Sequence, residues 1–172
     1  MNNFEFEHND KKYWYSRSVA VVGIIFLVSL EEGIHVLANK RGKGTPDYQG
    51  YWNMPCGYLD FNETCEQAII REIFEETGLS IKPDLINLIG IDSIPEGSQT
   101  VTLRYSGVIL GKTDEYKLSN KYSEENEVEE AKWIHEDNLY KYHWAFGHDN
   151  IIRTVKKEVN CFKYKKRWGI QK

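Results

Sequence analysis

The chain has few cysteines, little net charge and no long apolar run. Its three cysteines are an odd number without the spacing of zinc ligands, which argues against a disulfide framework and favours a reducing compartment. A formal net charge of −4 and a pI near 5.8 argue against a general binder of polyanions such as nucleic acid. The apolar run at residues 19–30 is far shorter than the roughly 20 residues of a membrane span. It also follows a polar, acidic start, which is wrong for a secretory signal, so we expect a cytoplasmic protein without a membrane segment.

The composition is that of an ordinary folded domain. Hydrophobic residues make up 41% and charged residues 28% of the 172 residues, which argues against a disordered protein. A chain of this length is ordinarily one domain with a substantial core. We therefore expect a single domain over residues 1–172, with residues 1–16 as a polar, aromatic-rich lead-in and residues 161–172 as a basic tail.

Apolar runs separated by turn-like segments predict an α/β fold. Strands are predicted at residues 18–30, 34–40, 85–91, 100–110 and 131–135. Residues 41–50 carry glycine and proline and are predicted to form a loop. A late helix is predicted from about residue 148 to 159, with its buried side formed by Ile151, Ile152, Val155 and Val159.

The stretch Gly57–Leu79, GYLDFNETCEQAIIREIFEETGL, predicts a helix with two different sides. Thr64 followed three residues later by Gln67 is a capping-box pattern, which begins a helix. Gly78 suits the C′ position that ends one. At about 100° per residue, the apolar side of this helix consists of Ile69, Ile70, Ile73, Phe74 and Thr77. We expect that side to pack on the core.

The other side of the same helix gathers the carboxylates of Glu72, Glu75 and Glu76. Like charges at i and i+4 destabilise a helix by roughly 0.2–0.5 kcal/mol per pair, and acids in the last turns oppose the helix dipole. Arg71 can pair with Glu75 and with Glu63, but one cation cannot neutralise the whole group. A hard divalent cation such as Mg²⁺ can, because it prefers oxygen ligands and leaves positions open for phosphate. A bare acidic side of this kind is more often only solvated, so its surroundings decide the interpretation.

Those surroundings resemble the signature of the Nudix hydrolases, G-x5-E-x7-R-E-U-x-E-E-x-G-U, in which U is a bulky aliphatic residue. The defined positions are filled by Gly57, Glu63, Arg71, Glu72, Ile73, Glu75, Glu76, Gly78 and Leu79. The preceding WNMPCGYLD is similar to the tryptophan–proline–glycine–glycine lead of the family, with Cys56 where a glycine is common. We interpret Cys56 as a structural variation, with a reactive thiol as the alternative. The resemblance implies an α/β/α sandwich with a mixed β-sheet.

The resemblance also implies a metal-dependent hydrolase that cleaves the diphosphate of a nucleoside diphosphate linked to another moiety. The metal ligands it implies are Glu72, Glu75 and Glu76, holding Mg²⁺ or Mn²⁺ in its place. Arg71 and Glu63 would orient these ligands. The general base would be Glu76, or Glu127 in the segment ENEVEEAKW, which resembles the part of the family that supplies such a glutamate before a late strand. An acidic run before a strand is often only solvated.

Substrate specificity is expected outside the signature. Pro95 lies close to where ADP-ribose pyrophosphatases of this superfamily carry a proline, and AFGHDNII at residues 145–152 resembles a late segment of such enzymes. Arg41, Lys43 and Arg104 are candidates for contacts with phosphate or ribose. The candidates for stacking on a base are Trp14, Tyr51 and Trp52. Each of these residue types is also common in purely structural positions.

Three functions therefore remain under consideration. The first is a pyrophosphatase of ADP-ribose or a related nucleotide sugar, and the second is a hydrolase of nucleoside triphosphates or oxidised nucleotides. The third is a non-catalytic ligand sensor, which the intact acidic trio disfavours. The expected partner is a small nucleoside diphosphate derivative, whereas nucleic acid is not expected despite the basic end. A homodimer is a further hypothesis, with the aromatic lead-in packed between protomers.

Overall fold

The computed structural model describes residues 3–96 and 98–167, with described side chains ending at residue 157. A mixed sheet of seven strands lies between two helices, and a separate two-stranded hairpin precedes it. In chain order the elements are β1 (Phe4–His8), β2 (Lys11–Tyr15), β3 (Val19–Ser29), β4 (Gly33–Arg41), β5 (Trp52–Asn53), β6 (Cys56–Tyr58), α1 (Cys65–Thr77), β7 (Ile86–Asp92), β8 (Val101–Leu110), β9 (Val128–His135) and α2 (His148–Arg167).

Alternation of side chains along β3 gives the sheet two apolar faces. The residues of β3 on the α2 side are Val22, Ile24 and Phe26, and those on the α1 side are Val21, Ile25 and Leu27. On the first side they pack with Ile152 and Val155 of α2. On the second they pack with Ile69 and Ile73 of α1. Each helix covers one face, which confirms the predicted α/β/α sandwich.

The sheet divides where β3 and β4 separate. These strands pair with each other near the turn that joins them, whereas farther from that turn β3 pairs with β6 and β4 pairs with β5. Residues 52–58 therefore fill the gap between them. Gly57 lies beside Val21 of β3 and Cys56 beside Val22. On its other edge β3 runs parallel to β8, which makes the sheet mixed.

Helix α1 has the ends that the sequence predicts. The Thr64 side chain accepts the Gln67 N–H at 3.3 Å, and the Gln67 side chain accepts the Thr64 N–H at 2.8 Å. Gly78 follows with φ of 70°, a left-handed conformation that suits glycine. The prediction for Phe74 is wrong, because this ring is 37% exposed and contacts Tyr122, with centroids 4.5 Å apart.

The predicted strands are present with shifted ends. β7 begins at Ile86, one residue after the predicted start, because Pro83–Leu85 forms a short 3-10 turn. β9 begins at Val128, earlier than the predicted residue 131. Val128 pairs with Arg41, so the end of β4 draws the acidic segment into the sheet. Tertiary pairing overrides the weak strand preference of glutamate here.

Helix α2 is longer than predicted and reaches Arg167 instead of ending near residue 159. The basic tail expected over residues 161–172 is therefore helical as far as Arg167, and residues 168–172 lie outside the described part of the chain. The predicted burial of Ile152 is confirmed, whereas the side chain of Val159 lies outside the described side chains. Within residues 3–96 and 98–167, no helix is long and apolar enough to cross a membrane.

The lead-in at residues 1–16 contains a β-hairpin that sequence reading missed. β1 and β2 pair from Phe4 opposite Tyr15 to His8 opposite Lys11. Asn9 and Asp10 connect them with φ of 53° and 60°, as a type I′ turn requires. The alternation in FEFEH followed by Asn-Asp was the available signal.

Candidate active site

Two of the three carboxylates on the acidic side of α1 are buried rather than solvated. Glu72 is 8% exposed and Glu76 is 3% exposed. The backbone N–H of Cys56, in β6, donates to Glu76 at 3.0 Å. Gly57 lies so close to Glu72 that a Cβ at this position would overlap the Glu72 carboxylate. The strand that fills the gap in the sheet therefore also fixes the inner carboxylates, and Glu75 remains half-buried at their edge.

Arg71 binds the outer part of this acidic group. Its guanidinium donates to both carboxylate oxygens of Glu63, at 3.1 and 2.7 Å. It also donates to Glu72 at 2.8 Å, to Glu75 at 2.9 Å and to the carbonyl oxygen of Tyr58 at 3.1 Å. All five N–H groups of the guanidinium thus have acceptors. The predicted pairing of Arg71 with Glu63 and Glu75 is confirmed.

Burial makes the two inner carboxylates costly as anions. It raises the pKa of Glu72 to about 7, although Arg71 offsets part of this effect. Burial, followed by the charge of Glu72, raises the pKa of Glu76 well above its ordinary value. In contrast, the hydrogen bonds from Arg71 lower the pKa of Glu63. Arg71 therefore compensates the charge of Glu72 in part, whereas Glu76 has the neutral Cys56 N–H as its hydrogen-bond donor.

The loop that carries Glu127 docks through its backbone on the loop that follows β4. The N–H of Gly42 donates to the carbonyl oxygen of Glu127 at 2.7 Å, and the N–H of Gly44 donates to that of Asn126 at 2.8 Å. A Cβ at Gly42 would overlap the carbonyl of Asn126, and one at Gly44 would lie 2.9 Å from the carbonyl oxygen of Glu125. The two glycines thus allow two backbones to approach closely.

The charge of Glu127 acts on the acidic side of α1. Its charge raises the pKa of Glu72 and of Glu76, which places the three carboxylates in one electrostatic group. The side chain of Glu127 is half-buried. Burial raises its own pKa, and the charge of Glu75 adds to this shift.

Arg41 approaches the same group from the end of β4. Its guanidinium donates to the Asp47 carboxylate at 2.6 Å and lies 4.9 Å from the centroid of the Phe146 ring. Its positive charge lowers the pKa of Glu76 and of Glu127, against the effect of burial. Arg41 is therefore a cation within electrostatic reach of the buried acids.

His148, the first residue of α2, belongs to this region although sequence reading gave it no role. It is 3% exposed, and its Nδ1 accepts the backbone N–H of Met54 at 3.0 Å. Burial, followed by the charges of Arg104 and Arg41, lowers its pKa to about 3, so the ring is neutral. It fixes the segment that supplies the Cys56 N–H. The likeness of residues 145–152 to a family segment was the signal that pointed here.

Arg104 lies on β8 beside a cavity of about 310 Å³ between β7, β8 and α2. It donates to Asp92 at 2.7 Å. Its Nε is buried, and within the described residues it has no hydrogen-bond partner. The charge of Arg104, like that of Arg41, lowers the pKa of His148.

Two residues predicted to bind substrate lie elsewhere. Trp52 is 7% exposed and packs in the core on the α2 side, with its ring centroid 5.1 Å from that of Tyr142. A buried indole is unavailable for stacking on a ligand, so the prediction for Trp52 is wrong. Pro95 lines a separate cavity of about 240 Å³ together with Tyr15 and Arg17, and no acidic residue of α1 lines that cavity.

Cys56 is held within the structure. Its Sγ accepts from the Asn53 side-chain amide at 3.3 Å. Burial, followed by the charge of Glu76, raises the pKa of the Cys56 thiol. A thiol that resists ionisation is a poor nucleophile, which supports the interpretation of Cys56 as a structural variation.

The donors on the acidic side of α1 fit a hard divalent cation. Glu72, Glu75 and Glu76 offer only oxygen atoms, and burial raises the pKa of Glu72 and of Glu76, so a bound cation would stabilise the ionised forms of both. Among the described residues, no three acidic, histidine or cysteine side chains form a ready metal cage. Arg71 occupies oxygens of Glu72 and Glu75 instead. An open donor set suits Mg²⁺, which usually keeps several waters.

A family model described as NUDIX domain matches residues 17–155. An ADP-ribose pyrophosphatase of Methanocaldococcus jannaschii is 32% identical over 155 residues, which cover 87% of this chain and 80% of that protein. An NAD-capped RNA hydrolase, NudC, of Mannheimia succiniciproducens is 28% identical over 126 residues, which cover 72% of this chain and 43% of that protein. The chain thus spans most of the first relative and less than half of the second.

Two solved structures share the fold. The NUDIX domain of Shewanella oneidensis NrtR, complexed with ADP ribose, has a TM-score of 0.66 at 20% identity, covering 84% of this chain and 90% of that chain. A bifunctional NMN adenylyltransferase/ADP ribose pyrophosphatase of Francisella tularensis, complexed with AMP and a manganese ion, has a TM-score of 0.65 at 23% identity. That match covers 83% of this chain and 42% of the other.

Proposed function

Because this chain belongs to the Nudix family, we propose that it hydrolyses the diphosphate linkage of ADP-ribose or a related nucleotide sugar with the help of a divalent cation. Family membership makes it a pyrophosphohydrolase, which acts on phosphoric anhydride bonds. The observation that carries the proposed chemistry is the buried pair Glu72 and Glu76 beside Gly57. Carboxylates that burial disfavours as anions suit a substrate that arrives with a cation.

Glu72, Glu75 and Glu76 would hold Mg²⁺, with Mn²⁺ as a substitute. Arg71 and Glu63 would keep these carboxylates oriented through the hydrogen bonds described above. When bound, the cation would neutralise the diphosphate and acidify a water molecule. The manganese ion in the Francisella structure supports this choice.

Glu127 is our candidate for the general base, with Glu76 as the alternative. Glu76 already accepts the Cys56 N–H and is almost fully buried, so its freedom to take a proton from water is small. Glu127 is half-buried and its pKa is raised, which moves it towards the neutral range where a base works best. The close docking of its loop would hold the acceptor in place.

ADP-ribose is the favoured substrate because of the Methanocaldococcus relative and because the Shewanella domain holds ADP ribose. Arg41 and Arg104 would contact phosphate or ribose, because Arg41 directly precedes the glycine that docks on Glu127 and Arg104 lines the cavity between β7, β8 and α2. Pro95 lines the separate cavity beside Arg17, so its part in substrate binding stays a prediction, which kcat/KM of Pro95→Ala for ADP-ribose would test. Expected products are AMP and ribose 5-phosphate.

The likeness to NudC favours a second candidate, the diphosphate of a dinucleotide such as NADH. A nucleoside triphosphate or oxidised nucleotide is the remaining catalytic alternative. The decisive measurement is kcat/KM for ADP-ribose, NADH, diadenosine polyphosphates, GTP and 8-oxo-dGTP with Mg²⁺ or Mn²⁺, with products identified. We expect ADP-ribose to lead. A clear lead for a triphosphate would contradict the proposed substrate, and binding without turnover of any compound would favour a sensor.

The matched variant for this assay is Glu76→Gln, which keeps the size of the side chain and removes its charge. Turnover should fall by about a hundredfold or more, as it does when a group that stabilises the transition state is lost. Near-wild-type turnover at saturating Mg²⁺ would overturn the assignment of Glu76.

Three broader expectations remain predictions. Residues 1–172 are proposed to work as a single domain. The protein is proposed to act in the cytoplasm, since the described cysteines Cys56 and Cys65 are free thiols. A homodimer through the aromatic lead-in is proposed because β1 and β2 expose most of their side chains.

A further inference from the structure

Three aromatic side chains converge where the loop after β4 meets the segment before α2. We name Tyr48, Tyr51 and Phe146 the aromatic wall. The Tyr48 ring lies edge-on to Tyr51, with centroids 5.6 Å apart, and edge-on to Phe146, with centroids 4.8 Å apart. The three residues are 46%, 41% and 44% exposed, respectively. Rings that cluster while staying nearly half-exposed are available to a ligand.

Two residues of the aromatic wall have an unusual backbone. Tyr48 has φ of 50° and Phe146 has φ of 56°, which is left-handed and uncommon for bulky residues. Backbone hydrogen bonds hold the Tyr48 turn, since the Tyr51 N–H donates to the Tyr48 carbonyl oxygen at 3.0 Å. Burial in the core does not explain why large rings occupy these positions, where asparagine or glycine would be less strained. Such conformations cluster at ligand sites.

The aromatic wall is joined to the acidic site by Arg41. The Arg41 guanidinium lies 4.9 Å from the Phe146 centroid, and Asp47 holds it there through a 2.6 Å hydrogen bond. Arg41 pairs with Val128 in the sheet, and the next residue, Gly42, donates its backbone N–H to the carbonyl oxygen of Glu127 at 2.7 Å. A ligand whose phosphate lies at the acidic site and whose planar group lies beyond Arg41 would contact both the acidic site and the aromatic wall.

We propose that the aromatic wall is the subsite that stacks the nucleobase of the substrate, with Tyr48 and Phe146 as the rings that make the site prefer nucleotides to phosphates without a base. This assignment rests on the proposed hydrolysis of a nucleotide diphosphate. Aromatic faces bind any base through stacking, so the wall selects nucleotides over base-free phosphates and does not select one base over another. Arg41, which remains paired with Asp47, faces the phosphate side of the same ligand.

The test compares Tyr48→Asn and Phe146→Asn with Tyr140→Asn. Asparagine accepts positive φ more readily than an aromatic residue, so the first two changes remove a ring and also relieve the backbone. Tyr140 is a matched control, because it is 73% exposed, lies in the 3-10 turn Glu136–Lys141 and has no aromatic contact with the three rings of the wall. Binding of AMP and of ribose 5-phosphate is measured by calorimetry, and thermal unfolding is followed for each variant.

AMP affinity should fall about tenfold in Tyr48→Asn and in Phe146→Asn, while the affinity for ribose 5-phosphate changes less than twofold. Tyr140→Asn should bind both compounds as the wild type does. Equal loss for AMP and ribose 5-phosphate, or no loss for AMP, would overturn the subsite. Thermal unfolding of Tyr48→Asn should occur at or above the wild-type temperature, and a marked fall would show that the ring serves stability instead.

The same measurements separate this inference from the proposed function. Suppose that the wild type cleaves ADP-ribose and that neither Tyr48→Asn nor Phe146→Asn weakens AMP binding. The aromatic wall would then not be the base subsite, whereas the proposed hydrolase activity would stand. Ring-dependent AMP binding without cleavage of any diphosphate would reject the proposed substrate chemistry and keep the subsite.

Discussion

At Gly57 the absence of a side chain makes room for the carboxylate of Glu72. We expect Gly57→Ala to displace that carboxylate, because its methyl group would occupy the same space. The fold should survive, since the displaced group is the far end of a flexible side chain. Misplacement by about 1 Å can cost about a hundredfold in rate, so kcat/KM should fall by that order while the unfolding temperature changes little.

Gly90→Ala is the control for this change, because a Cβ at Gly90 meets nothing within 4 Å. Steady-state kinetics and thermal unfolding of both variants give the comparison. If Gly57→Ala keeps wild-type activity, Glu72 does not have to occupy its observed position.

Two buried residues give the cation-free protein opposite pH dependences. The pKa of Glu72 is raised from 4.5 to about 7, so the folded state holds a proton that the unfolded state releases, and stability falls as pH rises through this range. The pKa of His148 is lowered from 6.5 to about 3, so the unfolded state takes up a proton first, and stability falls as pH drops below 6.5.

Glu72→Gln and His148→Asn separate these two effects. Stability is measured by urea unfolding in the presence of a chelator. In Glu72→Gln, the part of the stability loss above pH 4.5 that Glu72 causes in the wild type should be absent. The second should lose its sensitivity below pH 6.5, since an asparagine oxygen can accept the Met54 N–H without titrating. Added Mg²⁺ should raise the wild-type unfolding temperature more at pH 8 than at pH 5.5, by on the order of 5 °C, because protons compete for the ligands. Identical pH slopes in all three proteins would contradict both assignments.

At the scale of elements, α1 was predictable because its signals are local. The capping box at Thr64 and the glycine at Gly78 lie within the helix and its ends, so no distant contact can move them. The pairing of Arg71 with Glu75, four residues later on the same helix, follows from helix geometry for the same reason, whereas Glu63 lies in the segment that leads into the helix. Phe74 was assigned to the core because helical periodicity identifies the apolar side of a helix. It does not show how much of that side the sheet covers.

The loops that complete the site were less predictable. The position of Glu127 depends on backbone contacts with Gly42 and Gly44, far away in the sequence. His148 depends likewise on Met54. Trp52 was placed at the substrate because an indole next to a signature suggests stacking, whereas its burial is set by packing on the α2 side. Local sequence patterns do not reveal such contacts between residues that are far apart in the chain.

Gly42→Ala tests the docking of the two loops. A methyl group there would overlap the Asn126 carbonyl, and a backbone moves less easily than a side chain. We expect a destabilisation of about 1–3 kcal/mol, as for other overpacked sites, together with a fall in kcat of about tenfold or more, because Glu127 would shift. Urea unfolding and kcat at saturating substrate provide the two values. Lower stability with unchanged kcat would show that Glu127 is not the base.

At the scale of the whole molecule, the α/β/α sandwich was predicted from the sequence, whereas the hairpin of β1 and β2 and its exposed rings were not. An isolated two-stranded hairpin is marginally stable in water. One face of this hairpin stacks Phe4 on Tyr15 and Phe6 on Tyr13, with centroids 4.9 and 5.5 Å apart, and both phenylalanines remain exposed. Trp14 lies on the opposite face and is 70% exposed.

We expect these stacked rings to be covered in a homodimer. The double change Phe4→Ser and Phe6→Ser should convert the protein to a monomer in sedimentation velocity at micromolar concentration, because it removes half of the apolar face. Trp14→Ser, on the other face, should remain dimeric. A wild type that sediments as a monomer at tens of micromolar would contradict the dimer.

The hydrogen bond between Met54 and His148 joins residues 94 positions apart, whereas Cys56 and Glu76 are 20 apart. During synthesis on the ribosome at about 5–20 residues per second, the acidic helix therefore emerges several seconds before the residues that complete its surroundings. Contacts between distant parts of a chain also form late in refolding. A nascent chain would carry its full set of signature acids while still inert, and the capacity for chemistry would arrive with the last helix.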